Sequence, residues 1–425
     1  MDAIFAKLAQ YNFWDGRLPP IGYIRKSYVD NISRYVGKHL VKVLAGQRRV
    51  GKSYILRQII YHLIKEQRVD PRNIFYLNKE LLVFDEIRNY QQLTELLSHY
   101  KERLGIEGKV YVFLDEVQEI AQWEVFVNSC AQDYLNPHEV FVTGSNASLL
   151  SGELASLLTG RYVQFEVFPF SFVEYCGFTG VSPDKAAFLA YLQDGGLPEI
   201  LHLDDEEMKR NYIQSLKDAI LLRDIVQRHT VKDVSLLDDL FKFVVLNVGH
   251  LTSVNRIVKY FKHLHRKVSY EKLANYLSHL RDTFVVHEVE RFDLRGKRVL
   301  GGIRKYYLND LSFKNYLFGI RPDDIGNHLE NYVYVYLRSL GYKVSVGIWG
   351  DREIDFIAQK GERTLYIQVA YLLTDERTIS REFGNLLRIK DNYEKIVISM
   401  DEVPLSNYDG VEHIRPWEIH RKIAE

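Results

Sequence analysis

Residues 46–53 of the chain read Gly46-Gln47-Arg48-Arg49-Val50-Gly51-Lys52-Ser53. They match the phosphate-loop pattern GxxxxGK[ST] in full. A strand-like run ends at Ala45, and apolar residues at helical spacing follow from Ser53 to Lys65. In this order of strand, loop and helix, backbone N–H groups and the helix N-terminus face phosphate oxygens. The pattern predicts that Lys52 reaches the β and γ phosphates of a nucleotide and that Ser53 ligates Mg²⁺. The expected cofactor-binding residues of this stretch are Gly46, Arg48, Arg49, Val50, Gly51, Lys52, Ser53 and Tyr54.

An apolar strand that ends in two carboxylates follows later in the chain. It reads Val110-Tyr111-Val112-Phe113-Leu114-Asp115-Glu116, and Asp115 lies 63 residues after Lys52. Ligands of parallel sheets bind at the carboxyl ends of the strands, so a carboxylate there lies over the phosphate loop. The pattern predicts that Asp115 holds Mg²⁺ with Ser53, and that Glu116 orients or activates the attacking water. The alternative is a strand that simply ends at a charged turn.

Two further positions are candidates for contacts with the γ-phosphate. Residues 139–143 read as a strand, and Ser145 or Asn146 behind it is the candidate sensor, with Asn146 counted among the catalytic residues. Turn residues follow many strands, so an ordinary turn is the alternative. Arg161 is the candidate arginine finger or sensor, acting in cis or across a subunit boundary, and a plain surface charge is the alternative.

Length and composition limit the classes of protein that remain. A chain of 425 residues suggests about three domains, and 46% hydrophobic residues can build a core in each. Basic and acidic residues number 56 each, so strong global attraction to nucleic acid or acidic membranes is excluded, although a local basic patch is not. Two cysteines, Cys130 and Cys176, are too few for a disulfide framework. With no secretory signal and no membrane-length apolar run in view, we expect a cytoplasmic protein.

The order of apolar patterns predicts three domains. Strands alternate with helices in the first half, which favours a doubly wound parallel sheet. Four helical stretches between residues 206 and 282 lead into strands at 284–292 and 303–308, and helices followed by a hairpin are the order of a winged helix. A helix, three strands, a helix and a last strand then indicate a small α/β domain. We place the domains at residues 1–200, 201–320 and 321–425.

Six ordered blocks resemble the AAA+/STAND-like ATPases of bacteria and archaea. The blocks are Gly46–Ser53, Leu114–Gln118, Thr143–Leu150, Leu158–Arg161, Phe168–Tyr175 and Gly195–Glu199. More narrowly, they are similar to a family that pairs an AAA-type domain with a C-terminal domain of unknown function. The resemblance implies an AAA-type P-loop NTPase sheet, with ATP and Mg²⁺ as cofactors. Residues 195–198 are also similar to the GLPL motif of NB-ARC nucleotide switches, which implies that Pro198 contacts the base. A helix-terminating turn is the alternative. Residues 23–26 lie where such folds often cover the adenine.

Residues 251–310 contain 13 basic and 6 acidic residues. The basic side chains lie near the candidate helix-turn-helix and on the candidate wing: Arg256, Lys259, Lys262, Arg266, Lys267, Lys272, Arg295, Lys297, Arg298, Arg304 and Lys305. Such a segment predicts either contact with nucleic-acid phosphates or a structural lid.

The last domain resembles the PD-(D/E)xK nuclease core. Such a core needs acidic residues to hold Mg²⁺ and a lysine beside the scissile phosphate. Glu330 and Asp355 are the candidate acids, but Gln368 and Ala370 stand where the family pattern has Glu and Lys. We therefore predict a nuclease-like fold that is inactive in cleavage.

Three hypotheses for function follow. The first is an ATPase that hydrolyses ATP with Mg²⁺ to drive conformational change, with a link to nucleic acid. The second is a slow-turnover STAND-like switch that binds a protein partner, and the third is an ATP-controlled nuclease. The expected partners are ATP or ADP, nucleic acid through the basic segment, and a protein partner or further copies of the chain, but no membrane.

Overall fold

The computed structural model describes residues 1–135, 138–147, 158, 160–321, 323–402, 405 and 408–423. The chain divides into two compact units, Met1–Val167 and Phe168–Glu425. Parts of the motif blocks at Thr143–Leu150 and Leu158–Arg161, namely residues 148–150 and 159, lie outside the described residues. The domain boundaries expected at residues 200 and 320 stay predictions.

The first unit is an α/β fold around a parallel sheet, as the alternation of strands and helices predicts. Its described helices are α1 (Asp2–Tyr11), α2 (Lys26–Ser33), α3 (Lys52–Lys65), α4 (Tyr90–Leu104) and α5 (Trp123–Gln132). Its described strands are β1 (Val41–Ala45), β2 (Ile74–Asn78), β3 (Tyr111–Asp115), β4 (Glu139–Gly144) and β5 (Tyr162–Glu166). The strands pair in parallel in the order β2-β3-β4-β1-β5.

Local sequence explains why these elements form where they do. All residues of β1 and β4 are buried, as expected for central strands covered on both faces. Helix α4 spans Tyr90–Leu104, the bounds that its sequence pattern predicts, because both ends are capped. The side chain of Asn89 accepts the N–H of Gln92 at its start, and Gly105 takes a left-handed conformation at its end.

The sheet order brings the two predicted motifs to one edge. Strand β4 lies between β1 and β3, so Ala45, Gly144 and Asp115 all stand at the carboxyl ends of neighbouring strands. In parallel sheets this edge is the one at which ligands bind. The phosphate loop and the paired carboxylates therefore face the same space.

The second unit combines helices with a mixed sheet. Its described helices are α6 (Phe172–Thr179), α7 (Lys185–Asp194), α8 (Glu206–Ala219), α9 (Val234–Leu246), α10 (Val254–His263), α11 (Tyr270–Asp282), α12 (Ser312–Phe318), α13 (Asp324–Ser339), α14 (Glu376–Leu387) and α15 (His420–Ile423). Its described strands are β6 (Val286–Asp293), β7 (Arg298–Leu308), β8 (Lys343–Trp349), β9 (Arg352–Lys360), β10 (Arg363–Ala370), β11 (Glu394–Ser399) and β12 (Glu412–Ile414).

The predicted hairpin forms, but it also has a neighbour that the sequence does not reveal. Strands β6 and β7 pair antiparallel, and β6 pairs in parallel with β8 over residues 291–293 and 346–348. The described strands thus form one sheet in the order β12-β11-β10-β9-β8-β6-β7. The hairpin extends the sheet of the C-terminal segment.

One helical prediction in this unit is confirmed and one needs correction. The long helix predicted from Glu206 to His229 forms without a break, as an α-helix to Ala219 that continues as a π-helix over Ile220–Gln227. The helix predicted at residues 380–392 instead spans residues 376–387, because the side chain of Asp375 accepts the N–H of Thr378 and starts it earlier.

Two sequence expectations concern location in the cell. Cys130 and Cys176 are both free and buried, in agreement with the absence of a disulfide framework. Within the described ranges, we find no helix with the length and apolarity that a bilayer crossing demands.

Candidate nucleotide site

The phosphate loop joins the end of β1 to the start of α3, as the motif predicts. Arg49 and Gly51 take positive φ angles of 71° and 95°. This left-handed backbone curls the loop into a concave run of N–H groups, the form that binds anions. Gly46 is required for space, because an added Cβ would lie 2.3 Å from the backbone oxygen of Val167.

The other loop residues divide between the core and the surface. Val50 is fully buried, whereas the half-exposed ring of Tyr54 lies 4.1 Å from the guanidinium of Arg57. Arg48 donates to Glu80 at 2.6 Å. The loop is thus anchored at Val50, and the side chains of Arg48 and Tyr54 already have partners within the protein.

Lys52 begins α3, and its ammonium group lies inside the loop. Its Nζ donates to the carbonyl oxygens of Gly46 and Gln47 at 3.0 Å each. The same nitrogen lies 3.5 Å from Oε1 of Glu116. Because Lys52 is only 4% exposed, the loop holds a nearly buried positive charge beside one of the two predicted carboxylates.

Strand β4 contacts the two residues of the carboxylate motif through Thr143. Oγ1 of Thr143 donates to Oδ1 of Asp115 at 2.5 Å and accepts the backbone N–H of Glu116 at 2.9 Å. From β2, the hydroxyl of Tyr76 donates to Oδ2 of Asp115 at 3.1 Å. The sequence analysis did not predict that the hydroxyl groups of Thr143 and Tyr76 belong to the site. A signal for Thr143 exists, because it is a polar residue that directly follows the apolar run at residues 140–142 near the end of the strand.

Asp115 meets Ser53, the other predicted Mg²⁺ ligand, through a side-chain hydrogen bond. Burial and the neighbouring Glu116 raise the pKa of Asp115, and hydrogen bonds from three hydroxyl groups oppose the rise. A carboxylate and a hydroxyl are hard oxygen ligands of the kind that suits Mg²⁺. The structure therefore brings together the two side chains predicted to hold the metal, and their chemistry fits it.

Glu116 has a left-handed backbone with a φ of 55°, which is rare for a non-glycine residue and recurs at functional sites. Burial alone would raise its pKa, but the ammonium of Lys52, hydrogen bonds and the guanidinium of Arg48 lower it more. The net lowering of the pKa keeps Glu116 ionised at neutral pH. Its carboxylate can therefore accept a hydrogen bond from a water molecule.

Gln118 connects Glu116 with the candidate sensors. Its Nε2 donates to Oε2 of Glu116 at 2.5 Å and lies 3.4 Å from Oγ of Ser145. Ser145 also forms a side-chain hydrogen bond with Glu116. Asn146 is fully buried at the same strand end, and its contact with phosphate stays a prediction. Sequence reasoning did not assign a role to Gln118, although it lies only two residues after Glu116.

Residues 23–26 are fastened to the phosphate loop and α3. Gln58, on α3, donates to the backbone oxygens of Ile21 and Tyr23 at 2.7 Å each and accepts the N–H of Arg25 at 3.1 Å. The guanidinium of Arg25 donates to the backbone oxygen of Val50 at 3.2 Å. This segment therefore lies against the loop, and its contact with adenine stays a prediction.

Arg161 is not brought together with the phosphate loop. Its backbone oxygen accepts the N–H of Val41 at 2.9 Å, at the amino ends of β1 and β5. The phosphate loop follows Ala45, at the opposite end of the same five-residue strand. Because the side chain of Arg161 is exposed, this position suits action on a second copy better than action in cis, and that role stays a prediction.

Comparison with known proteins shows the family to which this chain belongs. Residues 38–176 match the sequence model of an AAA domain, and residues 185–324 match that of a domain of unknown function, DUF8612. An uncharacterized protein of Haemophilus influenzae is 33% identical over 394 residues, which cover 92% of this chain and 96% of that protein. The chain belongs to a family of AAA-domain proteins. The uncharacterized protein MJ1544 of Methanocaldococcus jannaschii is 30% identical to this AAA-domain protein over 395 residues, 88% and 84% of the two chains.

Three solved structures align with this chain over most of their own length. The ORC1 protein of Aeropyrum pernix, in complex with DNA, aligns with a TM-score of 0.35 and 16% identity, over 70% of this chain and 93% of that one. Cdc6p of Pyrobaculum aerophilum aligns with a TM-score of 0.31 and 13% identity, over 68% and 91%. RuvB of Thermotoga maritima aligns with a TM-score of 0.33 and 13% identity, over 66% and 95%.

In the second unit of the AAA-domain protein, the predicted base-contacting motif forms a tight turn. The N–H of Gly196 donates to Oδ2 of the buried Asp310 at 2.7 Å, and Leu197 also bonds this carboxyl through its backbone. Burial raises the pKa of Asp310 to about 6 against these hydrogen bonds. Pro198 then begins a 3₁₀-helix over Pro198–His202. Gly196 thus has a structural role in this turn, and contact of Pro198 with the base stays a prediction.

The mixed sheet of the second unit contains a lysine whose surroundings differ from the sequence expectation. Lys305, on β7, is buried and its Nζ lies 2.7 Å from Oε1 of both Glu330 and Glu353. Burial opposes its charge, yet the surrounding carboxyl groups raise the pKa of Lys305. The N–H of Asp355 donates to Oε1 of Gln368 at 3.4 Å. Lys305 is therefore part of a buried ion cluster and does not belong to an exposed basic surface.

Ion pairs also engage other members of the basic segment. The pairs are Arg266 with Asp239, Lys272 with Asp233, and Arg304 with Glu288. By contrast, Arg256, Lys259 and Lys262 are exposed at intervals of three residues along α10. Residues three apart share a helix face, so this face of α10 presents a row of positive charge.

Proposed function

We propose that this AAA-domain protein binds ATP with Mg²⁺ at the phosphate loop and hydrolyses it to drive a conformational change. The supporting observation is the contact between the two motifs. The ammonium of Lys52 lies 3.5 Å from Glu116, and Ser53 is hydrogen-bonded to Asp115. Ser53 and Asp115 would hold Mg²⁺, which neutralises charge on the β and γ phosphates when bound. All four side chains stand at one edge of the sheet.

The residues around Glu116 support attack by water on the γ-phosphorus. The ionised carboxylate would accept a hydrogen bond from the water, while Gln118 and Ser145 fix the position of that carboxylate. Lys52 would exchange its contacts with the loop carbonyls for contacts with phosphate oxygens. The bond from water to phosphorus forms and the bond to the bridging oxygen breaks, while Glu116 accepts a proton from the water and passes it to the departing phosphate; ADP and phosphate then leave.

Replacement of Glu116 by glutamine tests this role. Glutamine keeps the size of the side chain and removes its charge. We expect the ATP turnover number to fall at least about 100-fold, the scale of a lost general base, while the dissociation constant for ATP changes little. Phosphate release and equilibrium ATP binding measure the two quantities. The matched control is Glu119→Gln, an exposed position three residues later, for which normal turnover is expected. Normal turnover by Glu116→Gln would contradict the role.

A slow-turnover nucleotide switch is the second candidate, and the contacts of Glu116 favour it. Lys52, Gln118 and Ser145 all engage this carboxylate, and they contribute to its lowered pKa. A carboxylate that is held in this way and has a lowered pKa is a weak base. Nucleotide that copurifies with wild-type protein, combined with negligible turnover, would favour the switch and a protein partner over the ATPase.

We also propose that the charged face of α10 contacts nucleic-acid phosphates. Each phosphate contact adds about 0.9 to the slope of log affinity against log salt for duplex DNA. The double variant Lys259→Ala with Lys262→Ala is therefore expected to reduce that slope by about 2, as measured by fluorescence anisotropy with a labelled duplex at several salt concentrations. Lys38→Ala with Lys65→Ala, two exposed lysines of the first unit, is the charge-matched control. Equal slopes for the two double variants would contradict the proposed contact.

A further inference from the structure

Two histidines and an aspartate of the second unit meet where the π-helix ends. His229 follows the π-helix Ile220–Gln227 within the same continuous helix, and His279 and Asp282 lie on α11. The spacing of three residues puts His279 and Asp282 on one face of α11. One ligating atom from each of the three side chains can be chosen so that all lie within 4.8 Å of one another.

The two imidazole rings have nitrogens that the described protein does not satisfy. The rings of His229 and His279 stack with centroids 3.8 Å apart and planes inclined by 16°. Nε2 of His229 and Nδ1 of His279 are both buried without a hydrogen-bond partner among the described residues. A buried polar atom without a partner is costly, so both nitrogens would gain from a ligand.

The charge state of the cluster suits a cation. Burial lowers the pKa of both histidines, and for His229 the neighbouring His279 lowers it further. Both rings are therefore neutral at pH 7, with a lone pair available for a metal ion. Burial also raises the pKa of Asp282, although nearby Arg281 and Arg228 oppose the rise. A divalent cation would stabilise the ionised carboxylate at this depth.

We propose that His229, His279 and Asp282 form a binding site for one divalent transition-metal ion, with Zn²⁺ as the expected occupant. Neutral imidazole and carboxylate are the ligands that Zn²⁺ shares with other late first-row metals. The guanidinium of Arg281 is engaged elsewhere, since it donates to Glu288 at 2.9 Å and to Ser278 at 3.2 Å. The ion would fasten the end of the π-helix to α11, and π-helices are rare elements that often mark functional sites.

Cobalt provides the test, because Co²⁺ replaces Zn²⁺ and has a visible absorption spectrum. Full-length protein without an affinity tag or bound nucleotide is treated with a chelator and titrated with Co²⁺. We expect one Co²⁺ per chain, an absorption band that added Zn²⁺ removes, and an upward shift of the thermal midpoint with Zn²⁺. His279→Gln and Asp282→Asn are each expected to weaken Co²⁺ binding about tenfold or more. The control His263→Gln, an exposed position on α10, should bind like the wild type.

Several results would overturn the site. One is wild-type protein that shows neither a Co²⁺ band nor a thermal shift with Zn²⁺, a result that requires no variant to fold. Another is Co²⁺ binding of equal strength in the wild type, His279→Gln and Asp282→Asn, with folding checked by circular dichroism. A thiolate-to-cobalt charge-transfer band would place the ion on Cys130 or Cys176 and would also overturn the assignment.

Discussion

Lys52→Ala is expected to weaken ATP binding by at least about 100-fold. The ammonium group of Lys52 already lies within the phosphate loop, 3.0 Å from two of its carbonyl oxygens. A hydrogen bond to a charged group contributes about 1.5–3 kcal/mol, and each 1.4 kcal/mol corresponds to about tenfold in affinity. The loss of contacts to two phosphate groups is therefore expected to lower the affinity for ATP by more than about 100-fold. Equilibrium binding of ATP in the presence of Mg²⁺ measures the change.

Lys65→Ala is the matched control for this variant. Lys65 ends the same helix and is exposed, so its loss removes the same charge at a distance from the loop. We expect its ATP affinity to equal that of the wild type. ATP affinity of Lys52→Ala that stays within about threefold of the wild type would place the nucleotide, if it binds at all, away from the phosphate loop.

Gly196→Ala is expected to lower the stability of the second unit by roughly 3 kcal/mol or more, at the upper end of overpacking penalties. A Cβ at this position would lie 2.2 Å from the backbone oxygen of Phe170. The same glycine donates to Asp310 and accepts the N–H of Phe170, each at 2.7 Å. Neither backbone can move away without loss of a buried hydrogen bond. The midpoint of urea unfolding measures the effect.

Gly384→Ala separates this clash from a general effect of alanine. Gly384 lies inside α14, and an added Cβ would have no neighbour within 4 Å. Alanine in a helix interior is better than glycine by about 0.5–1 kcal/mol, so the urea midpoint should rise slightly. If the Gly196→Ala and Gly384→Ala variants unfold at the same urea midpoint, the tight turn at Gly196 does not stabilise the second unit.

The core of the site was predictable because its signals are local. The loop at residues 46–53 and the carboxylates Asp115 and Glu116 are short motifs that follow apolar strands. The rule that parallel strands present ligands at their carboxyl ends supplied the remaining step. The structure brings Lys52, Ser53, Asp115 and Glu116 together as that reasoning expects.

Other parts of the site depend on which strands become neighbours, and local spacing does not specify that. Thr143 reaches both carboxylate residues because β4 is inserted between β1 and β3. Lys305 joins Glu330 because β6 pairs with β8, which carries the hairpin into the C-terminal sheet. Arg161 matches a motif in sequence, yet the direction of β5 places it at the opposite edge from the loop.

Phosphate release from ATP by the wild-type protein, followed as Mg²⁺ is added, tests the central claim most directly. The assay begins in a chelator and is repeated with and without nucleic acid while the oligomer mass is recorded. We expect no release without Mg²⁺ and a saturable rise as Ser53 and Asp115 acquire the metal. Turnover that is absent at saturating Mg²⁺, or that proceeds equally in the chelator, would contradict an Mg²⁺-dependent ATPase at this site.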